Sequence, residues 1–472
     1  MSDQVAEIIN EIADSGSIRP AVRDWLTNRL STGAAMTVGI PGERSKGWLG
    51  ERLAWWPAGI PSGRRMGIAS SRLGRQLETH RSWFTMLRAA CAKIDRDNDV
   101  VLNVAATTTS RFLERCAELF GLTLLTIHLP TRSGMSLEKW FEQITKIDAQ
   151  PGAPEVYLSP PIEPDQREIE PRQPRAPLRD RTLFAASDQL LVFHVRPNGN
   201  LQNLIEARLN GDAWEVGSTT IALGPKLVPQ KIADHFLDHG AVGWFVPAAW
   251  DQMDDDDEKS LRELSTDSTP RVIALPNDDP WPYLTHCTRR CDGPWPAQDE
   301  NEFLDDLILD RKNTDHSALA ALCRIVEQKQ LTAGSSANRG SHPVVSFTAA
   351  SPIDLKQMRT FRPHRGRWDF EPYGICIHRD WLEKQGAKPV QYGDDELWKK
   401  LPEADRPFFQ KSQSHTGTTM IDWTIEQEWR CTSDVDLSGL PHDAVFLLVP
   451  TSIDATRLAQ SCPWPVAIMP PE

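Results

Sequence analysis

The chain is short of the features that mark membrane-spanning or disulfide-framed proteins. No apolar run approaches the roughly 20 residues that a bilayer-spanning helix needs. The start, Met1 to Asp14, is polar and acidic, which predicts a helix and not a secretory leader. No Cys-x-x-Cys pair occurs, and the eight cysteines are scattered through segments such as Arg115-Cys116-Ala117 and Leu322-Cys323-Arg324. Reduced, buried thiols in a cytoplasmic protein are therefore expected. An excess of positive charge is also missing. The formal net charge of −13 argues against non-specific coating of nucleic acid and leaves room only for a local basic cleft. His286, Cys287 and Cys291 are close along the chain, but neighbours on a strand point to opposite faces, so no metal is expected.

What is present divides the chain. At 472 residues it has length for two or three domains, each with its own core. Eight prolines crowd Pro151 to Pro177, and proline removes backbone donors, so residues 151–182 are expected to form a linker. The acidic run Asp254-Asp255-Asp256-Asp257-Glu258 reads as a solvated loop. Residues 1–150 alternate strands and helices. Met66 to Ala69, Val100 to Val104 and Leu122 to Ile127 read as strands, and Trp83 to Ala92 and Arg111 to Phe120 as helices, the last stopped by Gly121. That order predicts a parallel, Rossmann-like sheet. Residues 183–275 read as its continuation or as a second lobe.

In such a sheet, ligands meet the loops that leave the carboxyl ends of the strands. Ser70, Ser71 and Arg72 occupy one such loop, and Thr107 and Thr108 another. Hydroxyls and amides there can hold a phosphate with Arg72 as counter-charge, or simply cap helices. The pattern resembles the SLOG superfamily of nucleotide-binding domains. Ala106-Thr107-Thr108 lacks the glycine-rich turn of its lysine-decarboxylase-like members, which favours binding over hydrolysis.

The last third, residues 276–472, carries the densest chemistry. Asp422 to Arg430 reads as one strand with Thr424, Glu426, Glu428 and Arg430 on one face and Trp423, Ile425 and Trp429 on the other. Trp281 to Thr288 reads as a strand with a central His286, Ala318 to Gln330 as a helix, and Pro343 to Thr348 as a strand bearing Ser346 and Thr348. Gly374 to His378 and Pro389 to Tyr392 follow as strands. Arg359, Arg362, His364, Arg365 and Arg367 precede Trp368 and Phe370, a pairing of guanidinium forks with aromatics that suits phosphates and unstacked bases, or a solvated loop.

The order of His286, Ser346-Phe347-Thr348 and Glu426-Gln427-Glu428 resembles the ADP-ribosyltransferase fold. Thr285-His286-Cys287-Thr288 is similar to DarT nucleic-acid ADP-ribosyltransferases. Tyr373-Gly374-Ile375, Pro389-Val390-Gln391-Tyr392 and Trp423 to Arg430 resemble the AbiGi abortive-infection proteins. The resemblance implies an α+β domain that uses NAD as co-substrate. Glu428 would stabilise the oxocarbenium-like ribose and Glu426 would orient the acceptor or act as its general base, or the two would exchange roles; His286 would hold the adenosine-side ribose, and Ser346, Thr348 and Tyr373 would complete the NAD site. Arg362, Arg365, Arg367 and Trp368 would bind the acceptor, a single-stranded nucleic acid or a nucleotide. Phage defence or a toxin system is the biological role it implies. Two other readings stand beside it. One is a non-catalytic nucleotide-sensing or antitoxin-like protein; the other is an NAD or nucleotide hydrolase acting through the amino-terminal domain.

Overall fold

A computed structural model describes residues 19–41, 46–130, 135–147, 154–162, 176–212, 214–245, 272–335, 339–359, 361–362, 367–368, 370–416, 419–459 and 462–469. The expected Met1 to Asp14 helix, the acidic run at 254–258 and Arg365 lie outside them. The protein is mixed α/β and divides into two compact units. Unit 1 comprises residues 1–248 and 299–314, and unit 2 comprises 249–298 and 315–472.

Unit 1 is built on nine strands: β1 (Ala35–Val38), β2 (Arg52–Trp56), β3 (Arg64–Ser70), β4 (Asp99–Val104), β5 (Leu124–His128), β6 (Glu155–Pro161), β7 (Gln189–His194), β8 (Thr219–Leu223) and β9 (Val242–Phe245). They lie in the order β1-β2-β6-β5-β4-β3-β7-β8-β9. From β6 to β9 every pairing is parallel, and β1 and β2 add an antiparallel margin. Parallel sheets need cover on both faces, and β4 is buried at all six positions. Helices Arg81–Lys93, Ser110–Phe120 and Glu300–Leu309 pack one face through Trp83, Phe112 and Phe303. Helices Leu178–Ala186, Asn200–Leu209 and Gln230–Asp238 pack the other through Phe184, Leu204 and Phe236. Ser110–Phe120 ends where Gly121 turns left-handed at φ 65°, and the Gly121 amide donates to the Ala117 carbonyl.

Two expectations are corrected here. The stretch 151–182 is not a linker where it is described. Its Val156 and Leu158 fill the core as part of β6, an interior strand, and Leu178–Ala186 is a packed helix. Pro160 and Pro161 fall at the end of β6, where a missing donor costs least. Residues 183–245 continue the same sheet as the first 150. Residues 299–314, expected inside the carboxy-terminal domain, belong to unit 1, where Asp305 pairs with Arg115 (Nη2–Oδ2 2.9 Å).

Unit 2 holds an eight-stranded sheet. Its order is Val272–Ile273, Val466–Ile468, Val445–Val449, Gly374–His378, Tyr283–Cys287, Val345–Thr348, Glu428–Cys431 and Lys388–Pro389. Pairings are antiparallel except those made by Val466–Ile468. Helices Ala318–Gln328, Arg379–Lys384 and Ser452–Ala459 cover one face, burying Leu322, Leu382 and Leu458 against Leu284, Phe347, Ile375 and Leu447.

The expected single strand Asp422 to Arg430 is broken. Thr424–Glu426 is a 3-10 turn, Gln427 adopts φ 45°, and only Glu428–Cys431 is strand. A left-handed residue resets the two-residue alternation, so Glu426 and Glu428 are not successive residues of one strand face.

Candidate functional site

In unit 1, β3 and β7 are neighbours, yet the helices that follow them go to opposite faces of the sheet. That is a topological switch point, where loops diverge above the carboxyl edge. The two loops are knit at their base. Ser71 N donates to the His194 carbonyl (2.8 Å), and Arg196 N donates to Ser71 Oγ (3.0 Å). Arg196 Nη2 donates to the Arg72 carbonyl (2.6 Å), and Trp83 Nε1 donates to Ser70 Oγ (3.0 Å). Arg72, Arg196 and Lys226 are exposed; Ser70, Ser71, His80 and His194 are half-buried.

The threonines of the next loop do not cap a helix. Thr107 Oγ1 donates to the Val104 carbonyl (2.8 Å), Thr109 Oγ1 donates to the Ile68 carbonyl (3.1 Å), and helix Ser110–Phe120 has no side-chain cap. Thr108 is half-buried. These hydroxyls tie the β4 turn to its own strand and to β3.

His80, His194, Arg196 and Lys226 were not singled out by the sequence, and they change the character of this edge. Burial lowers the His80 pKa, and the charged groups acting on it, His194, Lys226 and Arg196, lower it further. Burial also lowers that of His194, partly opposed by the Ser71 backbone and reinforced by Arg196. Lys226 follows β8, so β3, β7 and β8 deliver these groups to one carboxyl edge. The signal available in the sequence was positional: Arg196-Pro197-Asn198-Gly199 follows an apolar strand just as Ser71-Arg72 does.

In unit 2, register decides which residues share a face. Thr285 pairs with Thr348, Thr348 with Glu428, and Ser346 with Arg430. Directly opposed residues project to the same side, so Ser346, Thr348 and Glu428 share one face. His286 alternates to the other, the helix-covered side, and packs edge-on against Phe347 at 5.8 Å between ring centroids. Its Nδ1–H donates to the Ser346 carbonyl (2.9 Å), and burial, first, lowers its pKa. The expected convergence of His286 with Ser346, Thr348 and Glu428 is therefore absent from the sheet.

Glu428 is also committed. Its carboxylate accepts from Arg430 Nε (2.9 Å) and Nη2 (2.8 Å), and its backbone N donates to Tyr392 Oη (2.8 Å). Arg430, 2 % exposed, donates further to the Pro407 and Phe409 carbonyls and to Gln410 Oε1. Glu426 is half-buried, and its carbonyl accepts from Thr348 Oγ1 (2.6 Å). The Glu426 carboxylate acts, after burial, to raise the Cys287 thiol, which is pushed up to about 12. Tyr373 Oη donates to Asp454 Oδ2 (3.3 Å). Phe361–Arg362 and Arg367–Trp368 form a short antiparallel ribbon that pairs Arg362 with Arg367. The Trp368 ring is 39 % exposed, with the Arg359 guanidinium 4.4 Å from its centroid. Among the described residues, no group of three or more His, Cys, Asp or Glu is placed to hold a metal ion, and no helix is long and apolar enough to cross a membrane.

No protein-family model matches this chain, and no curated protein matches it.

Proposed function

We propose that the protein binds a phosphorylated small molecule, of the nucleotide class, at the carboxyl edge of β3, β7 and β8 in unit 1. The observation that carries this is the gathering of His80, His194, Arg196 and Lys226 at the switch point of a parallel sheet. Groups of one sign repel each other, and an anion relieves that repulsion. The Ser71 hydroxyl, whose oxygen accepts from Arg196 N, has its own hydrogen to donate, a bond of the kind phosphates take. This is a Rossmann-like reading of unit 1, and it favours nucleotide sensing over hydrolysis.

The test is calorimetric titration of the full chain with ADP and NAD. Arg196→Ala and Lys226→Ala should each weaken binding about tenfold, about 1.4 kcal/mol, with tighter binding below neutral pH as the histidines protonate. Saturable binding untouched by both substitutions would sink the proposal.

ADP-ribosyl transfer by unit 2 is the second reading. It is favoured by one observation: Ser346, Thr348 and Glu428 share a sheet face on adjacent strands. On this reading Glu426, whose charge acts on the Cys287 thiol, serves the ribose, and the Glu428 carboxylate stays with Arg430. NAD loss in cells expressing the wild type but not Glu426→Gln would support it; equal NAD levels in both would remove it.

A further inference from the structure

We propose that His80 is a proton-controlled positioning residue of the unit 1 site. Neutral, its ring holds the 71–74 loop by accepting a hydrogen bond from Gly74; protonated, it releases Gly74 and turns its own N–H to the bound anion. This inference rests on the phosphorylated-ligand reading of that edge and names how the same site is regulated.

The loop is tied at its base by the Ser71 bonds to the His194 carbonyl and Arg196 N, and by the Arg72 carbonyl, which accepts from Arg196 Nη2. The Leu73 side chain is buried. These ties use groups that do not titrate near neutral pH. One further bond does depend on a proton: Gly74 N donates to His80 Nε2 (3.3 Å). A neutral imidazole with its hydrogen on Nδ1 accepts at Nε2, whereas an imidazolium donates at both nitrogens and accepts at neither. The proton and the Gly74 amide therefore compete for one lone pair.

The surroundings set which of the two wins. His80 is the N-cap of helix Arg81–Lys93; its N donates to the Leu77 carbonyl (2.9 Å), and its own carbonyl accepts from Trp83 N (2.9 Å) and Phe84 N (3.2 Å). The ring thus springs from a fixed point at the positive end of a helix dipole, which disfavours a second positive charge. Arg72, Arg75, Glu78 and Arg81 are the charged residues on its own stretch of chain. From other elements, His194 and Arg196 at the end of β7 and Lys226 after β8 act on it, all against protonation and all after burial. Without ligand, the neutral ring and its bond to Gly74 are the stable state. A phosphate bound among these groups reverses the balance, because the imidazolium N–H is a charge-assisted donor to it. Binding then takes up a proton at His80 and frees the Gly74 N–H.

Two readouts on the full chain test this, with circular dichroism checking that each variant is folded. The first needs no ligand: hydrogen exchange at the Gly74 amide, read by mass spectrometry and corrected for the intrinsic effect of pH. The wild type should be protected at about pH 7.5 and lose about tenfold of that protection at about pH 5, as the ring protonates. His80→Gln, whose amide oxygen accepts without titrating, should stay protected at both; His80→Leu should be unprotected at both. The second is calorimetry with ADP near pH 7 in buffers of different ionisation enthalpy. The wild type should take up protons on binding, and His80→Gln should take up fewer. Protection that ignores pH in the wild type, or survives in His80→Leu, overturns the role of His80 on the loop. Equal proton uptake by the wild type and His80→Gln overturns its role toward the anion and leaves the site itself standing. Absence of ADP binding in the wild type overturns the phosphorylated-ligand reading, and with it the ligand step argued here, while the exchange result still decides the hold on Gly74.

Discussion

At the scale of single residues, the fate of Glu428 follows from its neighbour. A guanidinium has five N–H donors and keeps its charge, and Arg430 is buried at 2 % exposure. Such a group is tolerated only with its counter-charge and acceptors in place. Glu428 supplies the charge with two bonds, and the 407–410 segment supplies the acceptors. Glu428→Ala should therefore destabilise the protein by about 3 kcal/mol. Glu428→Gln, whose amide oxygen still accepts one bond, should cost less. Urea unfolding of both variants checks this. A Glu428→Ala protein as stable as the wild type would show that the pair contributes nothing to the fold. The same measurement is needed beside any activity assay, since loss of turnover in a partly unfolded variant says nothing about ribose chemistry.

At the scale of elements, close approach matters as much as hydrophobic pattern. β3 lies against the end of helix Leu178–Ala186 at Gly67, where a Cβ would fall 2.0 Å from Ser187 Oγ and 3.0 Å from Ser187 Cβ. The Ser187 hydroxyl is itself held by the Leu183 carbonyl. Gly67→Ala should then force the helix off the sheet at a cost of about 2 kcal/mol, read as a lower urea midpoint. An unchanged midpoint would show that Ser187 rotates away freely. The same contrast explains what could be read from the chain. The strands at Met66 to Ala69 and Val100 to Val104, and the helix stopped by Gly121, were legible because apolar runs and a left-handed glycine are local signals. β6 was not, because prolines at its end mask a core strand. The break at Gln427 was not, because a left-handed glutamine carries no compositional mark. Of the candidate site, the Ser71-Arg72 loop could be read, but His80, His194 and Lys226 come from three separate loops that only the sheet order brings together.

At the scale of the whole molecule, acid should destabilise the protein through its histidines. His80 and His194 in unit 1, and His286 and His316 in unit 2, all have pKa values below the ordinary 6.5, with burial the largest cause in each. The unfolded chain takes up these protons near 6.5, whereas the folded chain resists them. Their contribution is therefore intact above about 6.5 and is lost as pH falls through the folded values. A second effect runs the other way. The formal charge of −13 shrinks toward zero as pH approaches the isoelectric point near 5.5, and relief of self-repulsion favours the compact state. Salt separates the two. At about 1 M the screening length is only about 3 Å, so net-charge repulsion is largely removed while the buried histidines still lack water. The thermal midpoint in high salt should then fall by about 5 °C between about pH 7.5 and pH 5.5. A midpoint that holds or rises in high salt would mean that the histidines protonate in place without strain. Adding ADP at the lower pH should recover part of the loss if an anion sits beside His80 and His194, because a bound negative charge raises both pKa values and returns protonation to the folded state.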